Sequence, residues 1–178
     1  MTTVTQVKAK LVSAPISKHW LSLVPDYKSR LYPSLILKMD WDPSYAIAIR
    51  EISPKRSVNR VNNYIDPEEI RRVERKLETK REASIRFGVA KTGHGYAGER
   101  GDFCLVGGVI RGKDLTVFYR SLELIGGFAY DLTLFQYLAL AIYSWNTVTI
   151  MAARANVFAL KGNSNQKLYP KLRKIFSE

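Results

Sequence analysis

The chain has 178 residues, 46% of them apolar, with 28 Lys and Arg against 16 Asp and Glu for a net charge of +12. That size and apolar content fit one domain, 1–178, with a core of its own, and argue against intrinsic disorder. One cysteine, Cys104, excludes an intramolecular disulfide, and so few Cys and His exclude a zinc cage.

No apolar run reaches the ~18 residues of a membrane span; the longest, Leu132–Trp145, is interrupted by Gln136. The N-terminus, MTTVTQVKAKL, lacks the apolar stretch of a signal peptide. The expectation is a soluble, cytoplasmic, cationic protein that binds no metal and no membrane and whose partner is an anion.

In chain order, residues 1–34 read as an irregular lead-in punctuated by Pro15, Pro25 and Pro33. Leu35–Met39 and Tyr45–Ile49 read as short strands flanking a turn at Asp40–Ser44, and the polar stretch Ser53–Asn63 reads as a loop. Asp66-Pro67-Glu68-Glu69 is a strong helix start: Asp caps, Pro suits the first helical position, and the acids complement the positive end of the dipole. Ile70, Val73 and Leu77 then recur at helical spacing, predicting a helix over about 66–80.

Ala83–Ala90 alternates as a strand, and Lys91–Asp102 is a glycine-rich loop. Phe103–Ile110 and Leu115–Ser121 form a β-hairpin around Arg111-Gly112-Lys113-Asp114. Gly126-Gly127 breaks the chain before an apolar helix over about Leu132–Trp145; Thr147–Leu160 is again strand-like, and 161–178 is a basic tail. This order predicts an α+β fold, a mostly antiparallel or mixed sheet packed by helices.

The loop at 93–101 matches neither phosphate-binding glycine signature, and His94 within it reads as solvated. Composition alone places Cys104, in FCLVGGVI, as a small core residue. The basic residues are spread: twelve against seven acidic over 50–91, and six against one over 154–178. The segment from Tyr119 to Leu132 carries more. An arginine and a hydroxyl, Arg120 and Ser121, end a strand; a glycine turn and Asp131 follow at a helix. A guanidinium fork suits phosphate, and a carboxylate suits a base amino group. Incidental polar ends of a strand–turn–helix explain the same pattern equally well.

VFYRSLELIGGFAYDLTLFQYLALAI, from Val117 to Ile142, resembles the thymidylate synthase and deoxycytidylate hydroxymethylase family, with its YQRSxD strand end and GxPFN run entering a long apolar helix. Ala155-Asn156-Val157-Phe158 is similar to the family's HIY strand end, Pro170-Lys171-Leu172 to its closing PKL, and Lys80-Arg81 to its arginine pair. The resemblance, over about 66–175, implies a thymidylate synthase-like fold and a homodimer. It also implies a pyrimidine nucleotide, dCMP or dUMP, as ligand and methylenetetrahydrofolate as one-carbon donor. Arg120 and Ser121 would hold the phosphate, Arg81 would reach the phosphate of the partner subunit's site, and Asp131 would read the base, favouring cytosine. Asn156 would stand at the sugar hydroxyl, beside a Phe158 that cannot donate a hydrogen bond.

The family's nucleophile lies in a PCH run whose place falls near Gly101-Asp102, so Cys104, the candidate nucleophile, comes a few residues late; one strand position decides its face. Among the folate-side residues only Glu51 stands as a candidate glutamate. Two readings follow. One is a nucleotide-binding one-carbon transferase of nucleotide metabolism or DNA modification. The other is a non-catalytic nucleic-acid-binding or accessory protein on the same fold.

Overall fold

The computed structural model describes residues 20–88, 104–159 and 161–176. It is α+β, as expected from the element order. A short 3-10 turn, Trp20–Leu23, precedes β1 (Arg30–Tyr32) and β2 (Leu35–Asp40). Helices α1 (Pro43–Ile52), α2 (Pro54–Tyr64) and α3 (Pro67–Thr79) then run in succession before β3 (Glu82–Arg86). The hairpin β4 (Leu105–Arg111) and β5 (Asp114–Tyr119) leads through β6 (Leu122–Glu123) into α4 (Gly126–Ala141). Strands β7 (Thr147–Ala152) and β8 (Ala155–Val157) and helix α5 (Ser164–Phe176) complete it.

Five strands form a mixed sheet in the order β2-β7-β5-β4-β3, and a small sheet has the order β1-β8-β6. The β5–β7 and β6–β8 pairs are parallel. A parallel neighbour requires a crossover, and β6 with α4 supplies the one from β5 to β7. Strand alternation is clear: Leu35, Leu37 and Met39 of β2 are buried while Ile36, Lys38 and Asp40 are exposed.

Helix α4 is the centre of the core. Eleven of its sixteen residues are buried, so it shows no apolar stripe but an apolar surface all round. Helices α1, α2 and α5 pack on it. Trp20 meets Phe128 edge-on, and the Trp145 indole donates to the carbonyl of Phe135.

The sheet's other face is not covered by any described element. Ile36 lies opposite Met151, and Met151 opposite Phe118, with exposures of 56%, 38% and 38%.

Four sequence expectations are corrected. Tyr45–Ile49 is helical: Asp42 accepts from the Ser44 amide and Pro43 occupies the first position, so the apparent turn is a helix cap. The alternating Tyr45-Ala46-Ile47-Ala48-Ile49 mimics a strand, but Ala46 and Ile49 are the pair buried, at a helical spacing of three. Ser53–Asn63 is helix α2, whose cover on α4 outweighs its polar composition. Gly126-Gly127 opens α4 rather than breaking the chain before it, and the helix ends at Ala141, short of Trp145. The basic tail contains α5, which buries Leu168, Leu172 and Phe176.

The expected helix α3, capped by Asp66 on the Glu68 amide, is present. So are the hairpin, with Gly112 at φ +55° in its turn, and the strands β2, β3, β7 and β8.

Helix α3 is fastened to the sheet by a buried carboxylate. Glu69, 4% exposed, accepts from Arg72 (2.6 and 2.8 Å), from the Arg86 backbone amide (2.8 Å) and from the Arg86 side chain (3.1 Å). Burial would raise its pKa, but the hydrogen bonds from Arg72 and Arg86 outweigh burial and lower it from 4.5 to about 2. A depressed carboxylate stabilises the fold above its unfolded pKa and loses that contribution as pH falls through the folded one. Wild type should therefore exceed Glu69→Gln by about 2 kcal/mol at pH 7, given that Arg86 is well exposed, with the gap closing between pH ~4.5 and ~2. Urea melts of both proteins across that range check this; a gap independent of pH would contradict it.

Candidate functional site

The end of β5 is where most of the candidate residues meet. Arg120, exposed, follows β5 directly, and its amide donates to the carbonyl of Cys104 at 2.8 Å. Ser121 comes next, and its hydroxyl oxygen accepts from Asn156 Nδ2 at 3.2 Å. That contact is built by the small sheet, where β6 and β8 pair with Leu122 opposite Ala155 and Glu123 opposite Asn156. Asn156 is 5% exposed, and its Oδ1 has no hydrogen-bond partner. An unpaired buried acceptor carries a cost of about 1–3 kcal/mol that a ligand's donor would relieve. Phe158, beyond β8, is 51% exposed.

Asp131 lies behind this surface, fully buried. Its Oδ1 accepts from Arg60 Nε at 2.5 Å and its Oδ2 from the Tyr119 hydroxyl at 2.8 Å. The carboxylate expected to read a base is thus occupied on both oxygens from within the chain. Arg60, on α2, stacks over the Tyr64 ring, 4.4 Å from its centroid, and its Nη2 reaches the Gly127 carbonyl at 3.5 Å. Burial lowers the arginine's proton affinity, but the adjacent Asp131 more than reverses that and the net direction is upward. Burial first, and then the Asp131 charge, drive the Tyr119 hydroxyl well above its ordinary 10. Tyr119 therefore stays a proton donor to Asp131.

Cys104 is half-buried just before β4. Burial raises the Tyr64 hydroxyl pKa, Arg60 lowers it, and Asp131 and Cys104 raise it further. Tyr64, Arg60, Asp131 and Tyr119 form one cluster, joined to Arg120 and Ser121 through the backbone of β5, and Cys104 adjoins that strand end through its carbonyl on the Arg120 amide.

The glycine turn does not leave an open anion cradle. The Glu123 side chain takes the Ile125, Gly126 and Gly127 amides at 3.1, 2.6 and 2.9 Å, so the positive end of α4 is filled by the chain's own carboxylate.

Arg81 is not brought to this end. Its carbonyl accepts from the Gly112 amide at the hairpin turn, where Lys80, Arg81, Lys113 and Tyr143 line a cleft of about 410 Å³. That is about 20 Å along β5 from Arg120. Glu51 is exposed near the end of α1. The loop 93–101 and His94 lie outside the described residues. Among the described residues, no group of three or more His, Cys, Asp or Glu could hold a metal, and no helix is long and apolar enough to cross a membrane.

Sequence reasoning missed Arg60, Tyr64, Tyr119 and Glu123. Arg60 sat in a stretch read as loop, and its partner is 71 residues away. Glu123 had a local signal: an acid three residues ahead of a helix-opening glycine pair is placed to cap it.

No family model matches the sequence, and no curated protein matches it. Among solved structures, thymidylate synthase from T4 phage is similar with a TM-score of 0.39 and 10% identity, over 79% of this chain and 71% of that one. The architecture above rests on the chain's own strands and helices.

The opening of α4 gives a direct test. A Cβ on Gly126 would lie 2.4 Å from Asn165 Oδ1, whereas on Gly127 its nearest neighbour is Glu123 Cβ at 3.3 Å. Gly126→Ala should cost about 2 kcal/mol in urea denaturation, from forced displacement of a buried Asn165. Gly127→Ala should stay within about 1 kcal/mol, since helix propensity offsets the tighter contact. Equal effects at the two positions would contradict the packing.

Proposed function

We propose that the chain binds a pyrimidine mononucleotide at the end of β5, with transfer of a one-carbon unit to C5 as the reaction that the sequence resemblance implies. The observation that carries the reading is the gathering of Cys104, Arg120, Ser121 and Asn156 around one strand end, beside an unpaired buried acceptor. In this reading Arg120 and Ser121 take the phosphate, a charge-assisted pair suited to it. Asn156 Oδ1 takes a sugar or base donor.

The base preference follows from Arg60. While Arg60 caps Asp131, the group offered towards a base is a guanidinium donor. That favours the carbonyl edge of uracil, and a cytosine amino group meets Asp131 only if Arg60 turns away. Cys104 is the candidate nucleophile, and methylenetetrahydrofolate the one-carbon donor, on the strength of the resemblance.

Arg81 serves a phosphate in this reading only from a second copy. The uncovered sheet face, with Ile36, Val106, Phe118 and Met151 exposed, supports a homodimer.

Calorimetric titration with dUMP and dCMP tests the reading. Binding of dUMP is expected at micromolar to millimolar affinity, weakened at least tenfold by Arg120→Ala, and sedimentation of the same samples should show a dimer. Absence of binding by either nucleotide at millimolar concentration would contradict it. So would tighter, steeply salt-dependent binding of an oligonucleotide, which would move the reading to a polyanion-binding protein.

A further inference from the structure

A groove of about 430 Å³ runs between α1, α2 and α4, away from the β5 site, with Ala46, Ile47, Val58, Val61, Tyr137 and Leu140 among its walls. Four of these side chains project into solvent from three different helices: Ile47 is 56% exposed, Val58 49%, Tyr137 42% and Leu140 78%. The inner faces of the same helices are already packed against one another, so this patch is not the visible edge of the core. Single exposed apolar residues are ordinary; a contiguous set lining a concavity marks a partner surface.

We propose that this groove seats an amphipathic helix with acidic flanks, supplied by a protein partner. The walls are helices whose backbone groups are internally satisfied, so they offer no edge for strand addition, and helix-in-groove docking is the mode left. Leu140 lines the groove and is 78% exposed, which leaves apolar surface for a partner's side chains to cover. Leu132–Ala141 on α4 carries no charge, Arg50 sits in the wall, and Lys55 lies one turn before Val58 on the same flank of α2. Glu51 is the acid beside them. The local rim is therefore net positive on a chain of +12, and a partner flank of Asp or Glu complements it. At the floor, Gln136 Oε1 is buried without a hydrogen-bond partner, so a polar donor on the partner's apolar stripe would be accepted there.

The probe is an 18-residue fluorescein-labelled helical peptide with Leu at i, i+3, i+4 and i+7 and Glu on both flanks, beside a twin with Lys in place of Glu. Saturable anisotropy is expected for the Glu peptide at tens of micromolar, at least tenfold weaker for the Lys twin. Leu140→Asp and Val58→Asp, both at exposed positions, should each weaken the Glu peptide at least tenfold while circular dichroism melts stay at the wild-type temperature. The proposal is overturned if the Glu peptide does not bind, if the two peptides bind equally, or if both variants bind it as wild type does. It is also overturned if Leu140→Asp turns a self-associated protein into a monomer, because a second copy would then be the occupant.

Discussion

A carboxylate with no access to water needs its solvation replaced by the protein, and around Asp131 that requirement organises three elements at once. Desolvating an ion costs several kcal/mol, recovered only when good partners reach every face of it. Arg60 from α2 and Tyr119 from β5 supply them, so the first turns of the buried α4 are tied to both α2 and β5. The same contacts lay Arg60 on the Tyr64 ring. The hydroxyl and guanidinium that satisfy Asp131 thus set the inner wall of the candidate site, with Arg120 and Ser121 continuing the strand outward. Glu123 does related work next door by closing the amide end of α4.

Elements whose signals are local were legible. Asp66-Pro67-Glu68-Glu69 announces α3 because a cap, a proline and a dipole-matched acid pair act within one turn. The β4–β5 hairpin announces itself through Gly112. Helices α1 and α2 were not legible, since their stability comes from α4, far along the chain. Isolated, Tyr45–Ile49 has the alternation of a strand, and 53–63 has the polarity of a loop. Tertiary packing overrides both tendencies.

The candidate site shows the same division. Arg120, Ser121 and Asp131 stand out because they sit together in sequence at a strand end and a helix start. What they face depends on residues that have no sequence neighbourhood in common with them. Nothing near Arg60 says that it will meet Asp131, and that meeting occupies a carboxylate that the local sequence leaves open. The strong positive charge is likewise only partly used: Arg72 and Arg86 hold Glu69, and Arg60 holds Asp131. Lys167, Lys171 and Lys174 line one exposed face of α5 and contribute field rather than a defined contact.

The most direct test is a double-mutant cycle on the buried pair, with Arg60→Ala, Asp131→Asn and the two combined, each measured by urea denaturation. If Asp131 depends on Arg60 for its solvation, the two changes should couple by about 2 kcal/mol, the double variant losing far less than the sum of the single losses. Additivity within about 0.5 kcal/mol would mean that the two residues act independently, and would contradict the account.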